Sequence, residues 1–590
     1  MSHQNTTQTP RRTRQCGLAL ATALGGSLLI HAPARAQDAS QLRAIQSQIS
    51  ALQSQLRHLQ HEASQRDAAL KAARADAAQA RSDAAQAVRA TASYAAAGHG
   101  APLNSPPGYY PQGPSTAPGF AMGSPNPAAS SLGNASPSSI TTTSVDKNNP
   151  TFTVGGVTIT LGGFIDATAF YRSKDLTSGT ATSFNAIPYD NSVNGHLDEF
   201  RETAQASRFS MLIQGSPGTE QSLAGYFEGD LQGSATTSNS NQSNSYTPRM
   251  RLAYFTYDDN YDGWHFLAGQ DWSMAVGDKV GITPRKELLL PTIDANFMPG
   301  FVYTRGAQVR AVKSFGNMLA LGVSLEAPQE TYSSAGISAS GTTLPNGQTL
   351  TYNSSGTGFL NSAATYSYDT APDLIAKAAF DPGFGHYEVY GLGSFFKTRS
   401  SVLGGGDTHT EFGGGVGGSA TIPIIPKVVD LVGDFLYGSG VGRYGASQLP
   451  DATFGADGEP KLLRNTIGMV GLVAHPGKSV DLYSMVGTEQ VGKSTFTGLV
   501  GGKDTGFGYG TPFASDADCG VELGKCSAQT RAIDAITAGA WWRFLHGSYG
   551  TLQAGVEYTY EKKIAFSGEG GRPSTNDNIL FFTVRYLPFQ

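Results

Sequence analysis

From Thr151 to Gln590 the chain keeps a period of two, and that alternation limits what it can become more than any other feature. Between Val157 and Tyr171, Val157, Ile159, Leu161, Ile165 and Ala167 are apolar, while Thr158, Thr160, Asp166 and Thr168 are polar. Phe209, Met211 and Ile213 alternate with Arg208, Ser210 and Gln214, and Phe227 and Leu231 with Glu228, Asp230 and Gln232. Leu431 and Phe435 alternate with Asp430 and Asp434, and Leu552, Ala554, Val556, Tyr558 and Tyr560 with Gln553, Glu557 and Thr559. Near the end, Leu580, Phe582, Val584 and Tyr586 share one face, with Thr583 and Arg585 on the other. Successive side chains of a strand point to opposite sides of its sheet, so each segment reads as a strand with one apolar and one charged or polar face.

A soluble sandwich and a membrane barrel both satisfy such alternation; the sandwich buries its apolar face, and the barrel turns it to lipid around a wet lumen. Composition favours the barrel, with aromatics at 10% and 73 glycines but a mean hydropathy of only -0.22. Connections alternate in length too. His475–Lys478 and His546–Gly550 look like short turns, whereas 173–203, 233–248, 329–365, 439–463 and 495–530 are long Ser/Gly/Asn-rich loops. Short periplasmic turns opposite long outer loops are the outer-membrane pattern. At roughly ten residues per strand plus connections, the segment 151–590 accommodates about 16 antiparallel strands, with 14 or 18 open.

The residues before the barrel fit export. Arg11, Arg12 and Arg14 precede an apolar run, Cys16 to Ile30, and Ala34-Arg35-Ala36 forms a cleavage site. Residues 1–36 therefore read as a signal peptide, with a membrane anchor as the alternative. Leu42, Ile45, Ile49, Leu52, Leu56 and Leu59 follow a 3-4 spacing, continued by alanines, so 37–93 is expected to be an α-helical coiled coil in the periplasm. The alternative is a single helix lying on another domain. Residues 94–150, rich in Gly, Pro, Ser and Asn, cannot bury enough to fold; they are expected to be a flexible linker reaching about 40 Å.

One long stretch differs from the other loops. Residues 271–304 carry Leu288, Leu289, Leu290, Ile293 and Phe297 beside Asp278, Lys279, Arg285, Lys286, Glu287 and Asp294. A loop packed against the inner wall needs such apolar side chains, and a solvated one does not. It is expected to narrow the lumen; packing between subunits is the alternative. By strand phase Arg208, Arg251, Arg310, Arg543 and Arg585 point inward, as do Asp166, Glu228, Asp230, Asp430 and Asp434. Arginines facing the loop would favour carboxylates, unless each only ion-pairs on the wall. Cys519 and Cys526 are expected to form a disulfide in an oxidising compartment, the alternative being two free thiols.

Other chemistry finds little support. A net charge of -5 argues against nucleic acid. Gly487–Ser494, GTEQVGKS, matches the P-loop pattern formally, but STFTGLVGG follows and is no helix. No H-E-x-x-H or G-x-S-x-G occurs, so no metal, cofactor or enzymatic activity is expected.

With GGFIDATAFY, SRFSM, GQDWSMA, LLLPTIDANF and FVYTRGAQVR in order, the chain resembles the DcaP-like outer-membrane porins. The resemblance implies a homotrimer of 16-stranded barrels with an N-terminal periplasmic coiled coil, passing small anionic solutes such as dicarboxylates. It also implies that Arg285, Lys286, Asp294 and Asn296, flanked by Arg305 and Arg310, line the constriction. Departures are the DKVGITPRKE stretch and an end one residue beyond Phe589. Contact of the coiled coil with peptidoglycan or another periplasmic partner is open, and the competing reading is a structural or adhesive trimeric outer-membrane protein in which the stalk is the working part.

Overall fold

The computed structural model describes residues 151–233, 246–355 and 365–589. The expected signal peptide, coiled coil and linker (1–36, 37–93 and 94–150) lie outside the described residues. The wall is a closed antiparallel barrel of 16 strands. In chain order they are β1 Val157–Arg172, β2 Arg208–Gly215, β3 Gln221–Gly233, β4 Thr247–Asp259, β5 Trp264–Trp272, β6 Arg305–Phe315, β7 Leu319–Glu326 and β8 Asp373–Phe380. They continue as β9 His386–Val402, β10 Gly405–Ile425, β11 Val429–Ser439, β12 Arg464–Gly477, β13 Val480–Val491, β14 Thr530–Gly547, β15 Gly550–Ala565 and β16 Ser574–Leu587. Each strand pairs with the next, and β1 closes the ring by pairing Ile165–Arg172 with Ile579–Tyr586 of β16. Closure leaves no unpaired strand edge.

Strand phase follows the sequence pattern. On β16, Leu580, Phe582, Val584 and Tyr586 point outward, while Asp577, Thr583 and Arg585 are buried inside. The outer surface exposes an apolar belt, with Ile165, Phe209, Phe255, Val323, Val389, Phe435, Val470, Val486 and Val556 on strands around the ring. Aromatics gather near the short turns, among them Tyr261, Trp264, Phe315, Phe384 and Tyr549.

The short turns fall close to where the sequence sets them, and one loop boundary differs from expectation. Strands β12 and β13 turn at Lys478–Ser479, one residue beyond the expected His475–Lys478, and β14 and β15 turn at Ser548–Tyr549, within the expected His546–Gly550. The first outer loop is shorter than 173–203, because Glu199–Thr203 pairs with the far end of β1 and continues the line of β2. The long loops are also not simply solvated. Ser494–Val500 and Lys503–Tyr509 form a hairpin whose Phe507 packs with Ile337, Leu344, Leu350, Tyr352 and Phe454 from other loops. Stacked rings, such as Tyr332 on Phe454 at 5.0 Å, hold that cluster.

Candidate functional site

Asp271 and Trp272 end β5, so the inserted segment proper is 273–304. It starts as a hairpin. Asp278 bridges Glu287, and the Lys279 N–H donates to the Lys286 carbonyl at 2.7 Å. At the tip, the Gly281 N–H reaches Asp381 in the short turn between β8 and β9 at 2.9 Å, so the hairpin descends along the wall. Residues 288–301 then cross towards the other side. Leu288, Leu290, Ile293, Phe297 and Phe301 share one buried cluster with wall residues Phe170, Tyr226, Met485, Trp541 and Phe581. The lumen wall is therefore not uniformly polar: it is apolar where the segment docks, because close packing requires partner atoms on both sides.

What holds this segment is a set of wall carboxylates. Outside its own hairpin, the segment's backbone runs along no wall strand that could pair its N–H groups, and a buried N–H left unpaired would cost about 1–3 kcal/mol. Glu326 of β7 accepts the Met274 N–H at 2.8 Å, and Glu388 of β9 accepts that of Asp278 at 3.1 Å. Asp434 of β11 takes Val302 at 2.8 Å and Glu489 of β13 takes Gly300 at 2.9 Å. Glu557 of β15 takes both Ile293 and Asp294, at 2.7 and 3.1 Å. Asp434, read from the sequence as a lumen charge, thus anchors backbone. At Pro299-Gly300 the segment presses directly on the wall. A Cβ on Gly487 of β13 would lie 2.0 Å from the Pro299 carbonyl oxygen, and Gly300 adopts φ +92°.

The basic residues gather along β2, β4 and β6. Arg251 contacts Glu228 at 2.5 Å and Asp230 at 3.1 Å, and Arg208 stands 3.6 Å from Glu228. Arg249, absent from the sequence expectations, pairs with both carboxylate oxygens of Asp230 through Nε and Nη2 and keeps its side chain 34% exposed. Its signal was available, since it lies two residues from Arg251 on the same strand. Trp272 forms the apolar backing: Arg251 and Arg305 lie 5.8 and 5.0 Å from its ring. Arg305 makes no ion pair among the described residues and is only partly buried.

The remaining expected residues divide by position. Arg285 donates to the Tyr254 hydroxyl at 3.1 Å beside this cluster, and Lys286 follows it, partly exposed. Arg310 is buried, donating to the Trp272 carbonyl at 2.7 Å and standing 3.9 Å from Asp271. Arg585 is paired to Asp166 at 2.5 Å. Arg543 faces inward near the opposite mouth, paired with Asp481 and donating to the Lys478 carbonyl of the short turn. Asp430 is buried at the start of β11. Asp294 and Asn296 tie the segment to the first outer loop: Asp294 accepts the Thr182 N–H at 3.1 Å, and Asn296 donates to the Thr182 carbonyl at 2.9 Å. Burial, reinforced by the charges of Asp271 and Asp278, pushes Glu287 up to about 8. Further round the wall, β15 and β16 carry the buried carboxylates Glu561 and Asp577, which the sequence reading left unassigned. Cys519 and Cys526 are joined as a disulfide in the last long loop, where the Cys519 carbonyl accepts the Asn191 N–H of the first loop.

The arrangement is that of a barrel wall narrowed by an internal segment, with guanidinium groups concentrated on one side. In fold the chain is similar to the outer membrane channel DcaP of Acinetobacter baumannii, with a TM-score of 0.50 and 18% identity over 74% of this chain and 99% of that one. An anion-selective porin from Comamonas acidovorans aligns at a TM-score of 0.40 and 10% identity, covering 73% of this chain and 99% of that one. OmpF of Salmonella typhi, in complex with daunomycin, aligns at 0.38 and 11% identity, covering 74% and 99%. No protein-family model and no curated protein sequence matches the chain.

Proposed function

We propose that the chain is a porin of a bacterial outer membrane, giving passive diffusion to small hydrophilic solutes with a preference for anions such as dicarboxylates. The observation that carries this reading is the inversion of the wall: apolar side chains ring the outside, while ionised side chains and an inserted segment occupy the inside. Apolar surface on that scale needs a hydrocarbon surrounding, and a closed barrel satisfies its backbone there. The anion preference rests on Arg251, Arg285 and Arg305 beside Tyr254 and Trp272, with Arg208 and Arg249 sharing the carboxylates Glu228 and Asp230 with Arg251. A guanidinium presents paired donors that match a carboxylate, and two such groups suit a dicarboxylate. Assembly as a homotrimer, with 37–93 in the periplasm, belongs to the same reading and comes from the sequence resemblance.

Planar-bilayer recording tests it. The purified chain should conduct in groups of three equal steps, and adding a dicarboxylate on one side should reduce the current. A preparation that inserts and remains silent would refute the channel reading. Equal currents carried by a large organic anion and a large organic cation would refute the selectivity.

A further inference from the structure

Outside the lumen, at the end of the wall that carries the long loops, lies a concavity of about 520 Å³. Arg464, Lys493, Arg531 and Arg572 line it, together with Thr466, Gln490 and Phe566. Strand phase places it on the outer surface. Asn465, Ile467 and Glu489 are buried inside, so Arg464, Thr466 and Gln490 between them face out. Arg531 occupies a bulge at the start of β14, and Lys493 and Arg572 come from the connections beyond β13 and before β16.

All four cations are exposed, and among the described residues none makes an ion pair. Arg572 contacts a neutral group: its Nε donates to the Ala565 carbonyl at 3.2 Å. Asp534, a carboxylate on the same strand as Arg531, accepts the Thr488 hydroxyl at 2.6 Å. Uncompensated like charges repel, so gathering four of them on one face is unfavourable unless an anion sits among them.

The position on the wall says which anion. The strand register sets Thr466 beside Gln490 and Gln490 beside Ala532. Four residues further along each strand, roughly 13 Å at strand rise, the same face presents Val470, Val486 and Ile536, all exposed. The cationic concavity thus sits directly above the apolar belt. A membrane lipid has that profile, with an anionic headgroup above its acyl chains.

We propose that this concavity binds the phosphate of an outer-leaflet lipid headgroup, with the acyl chains lying along Val470, Val486 and Ile536. The inference rests on the reading of the barrel as a membrane channel, and the test separates the two. The chain, purified in non-ionic detergent, is mixed with bis-phosphorylated lipid A and examined by native mass spectrometry. Lipid-bound protein is expected to survive, and fully dephosphorylated lipid A should leave about tenfold less of it, a difference worth about 1.4 kcal/mol. Excess inorganic phosphate should not displace the lipid, because it lacks the chains that the belt holds. Arg464→Gln with Arg531→Gln should reduce the adduct to the dephosphorylated level, and Arg464→Lys with Arg531→Lys should restore much of it. Wild-type conductance steps in both variants would show that the barrel is intact.

Equal retention of the two lipids by the wild-type chain would overturn the proposal, whatever the variants do. So would displacement by inorganic phosphate, which would make the site one for a soluble anion. A wild-type chain that conducts but retains no lipid A contradicts this inference alone; a wild-type chain that never conducts contradicts the channel reading.

Discussion

The inserted segment and the outer loop cluster bury similar apolar side chains by different means. In the cluster, loops hold one another: Tyr332, Tyr352, Phe454 and Phe507 pack together, and Asp451 accepts the Thr331 and Arg443 N–H groups from within the loops. The inserted segment is instead held by the wall, through Glu326, Glu388, Asp434, Glu489 and Glu557. Apolar content alone therefore does not mark a segment that enters a lumen. The mark is the set of inward carboxylates that receives its backbone, since each unpaired N–H needs an acceptor wherever the segment goes.

The comparison can be broken at its tightest point. Gly487→Leu should produce the largest effect, because a Cβ there would come within 2.0 Å of the Pro299 carbonyl oxygen, and the segment has to move away to admit it. Single-channel conductance should rise severalfold as residues 298–301 leave the wall, while the outer loops stay protected in hydrogen exchange. Glu557→Ala comes next. It strands the Ile293 and Asp294 N–H groups, at roughly 1–3 kcal/mol for each donor. Current noise should increase, and Glu557→Gln, which keeps one acceptor oxygen, should recover part of the quiet state.

A smaller effect should follow pH. With its folded value raised to about 8, Glu287 binds a proton more tightly in the docked hairpin than when released. Docking is then strongest below the ordinary carboxylate range and weakens as pH rises from there to about 8. Proteolysis within 278–287 should accelerate across that interval, and Glu287→Gln should flatten the profile. The smallest change in conductance belongs to Cys519→Ser with Cys526→Ser. It removes a crosslink worth about 2–3 kcal/mol to a short loop, so protease sensitivity near 519–526 should increase while currents stay as they were.

Much of the wall was legible in the sequence, because a period of two admits one arrangement of faces once strands close into a ring. Leu580 to Tyr586 and Phe227 to Asp230 lie as their alternation requires. The departure of 271–304 from loop composition was legible too. Partners were not. Nothing in the pattern says that Asp434 would hold a backbone N–H rather than face the lumen, since both roles demand an inward carboxylate. Arg249 was missed although it shares the phase of Arg251, because Thr247-Pro248 before it reads as loop. Gly487 carried a signal that pointed elsewhere. It opens the formal phosphate-loop match, yet its missing side chain admits the Pro299 carbonyl, and the strand–hairpin context that follows has no helix to receive a phosphate.

The central claim is that a barrel with its apolar face outward conducts anions past the arginines beside Trp272. Reversal potential in a salt gradient measures this most directly, for the wild-type chain, for Arg249→Ala with Arg305→Ala, and for Arg285→Ala with Lys286→Ala. The account expects a potential of anionic sign in the wild type that moves towards zero in both double variants. A wild-type potential of cationic sign, or an anionic one untouched by either pair of substitutions, would contradict it.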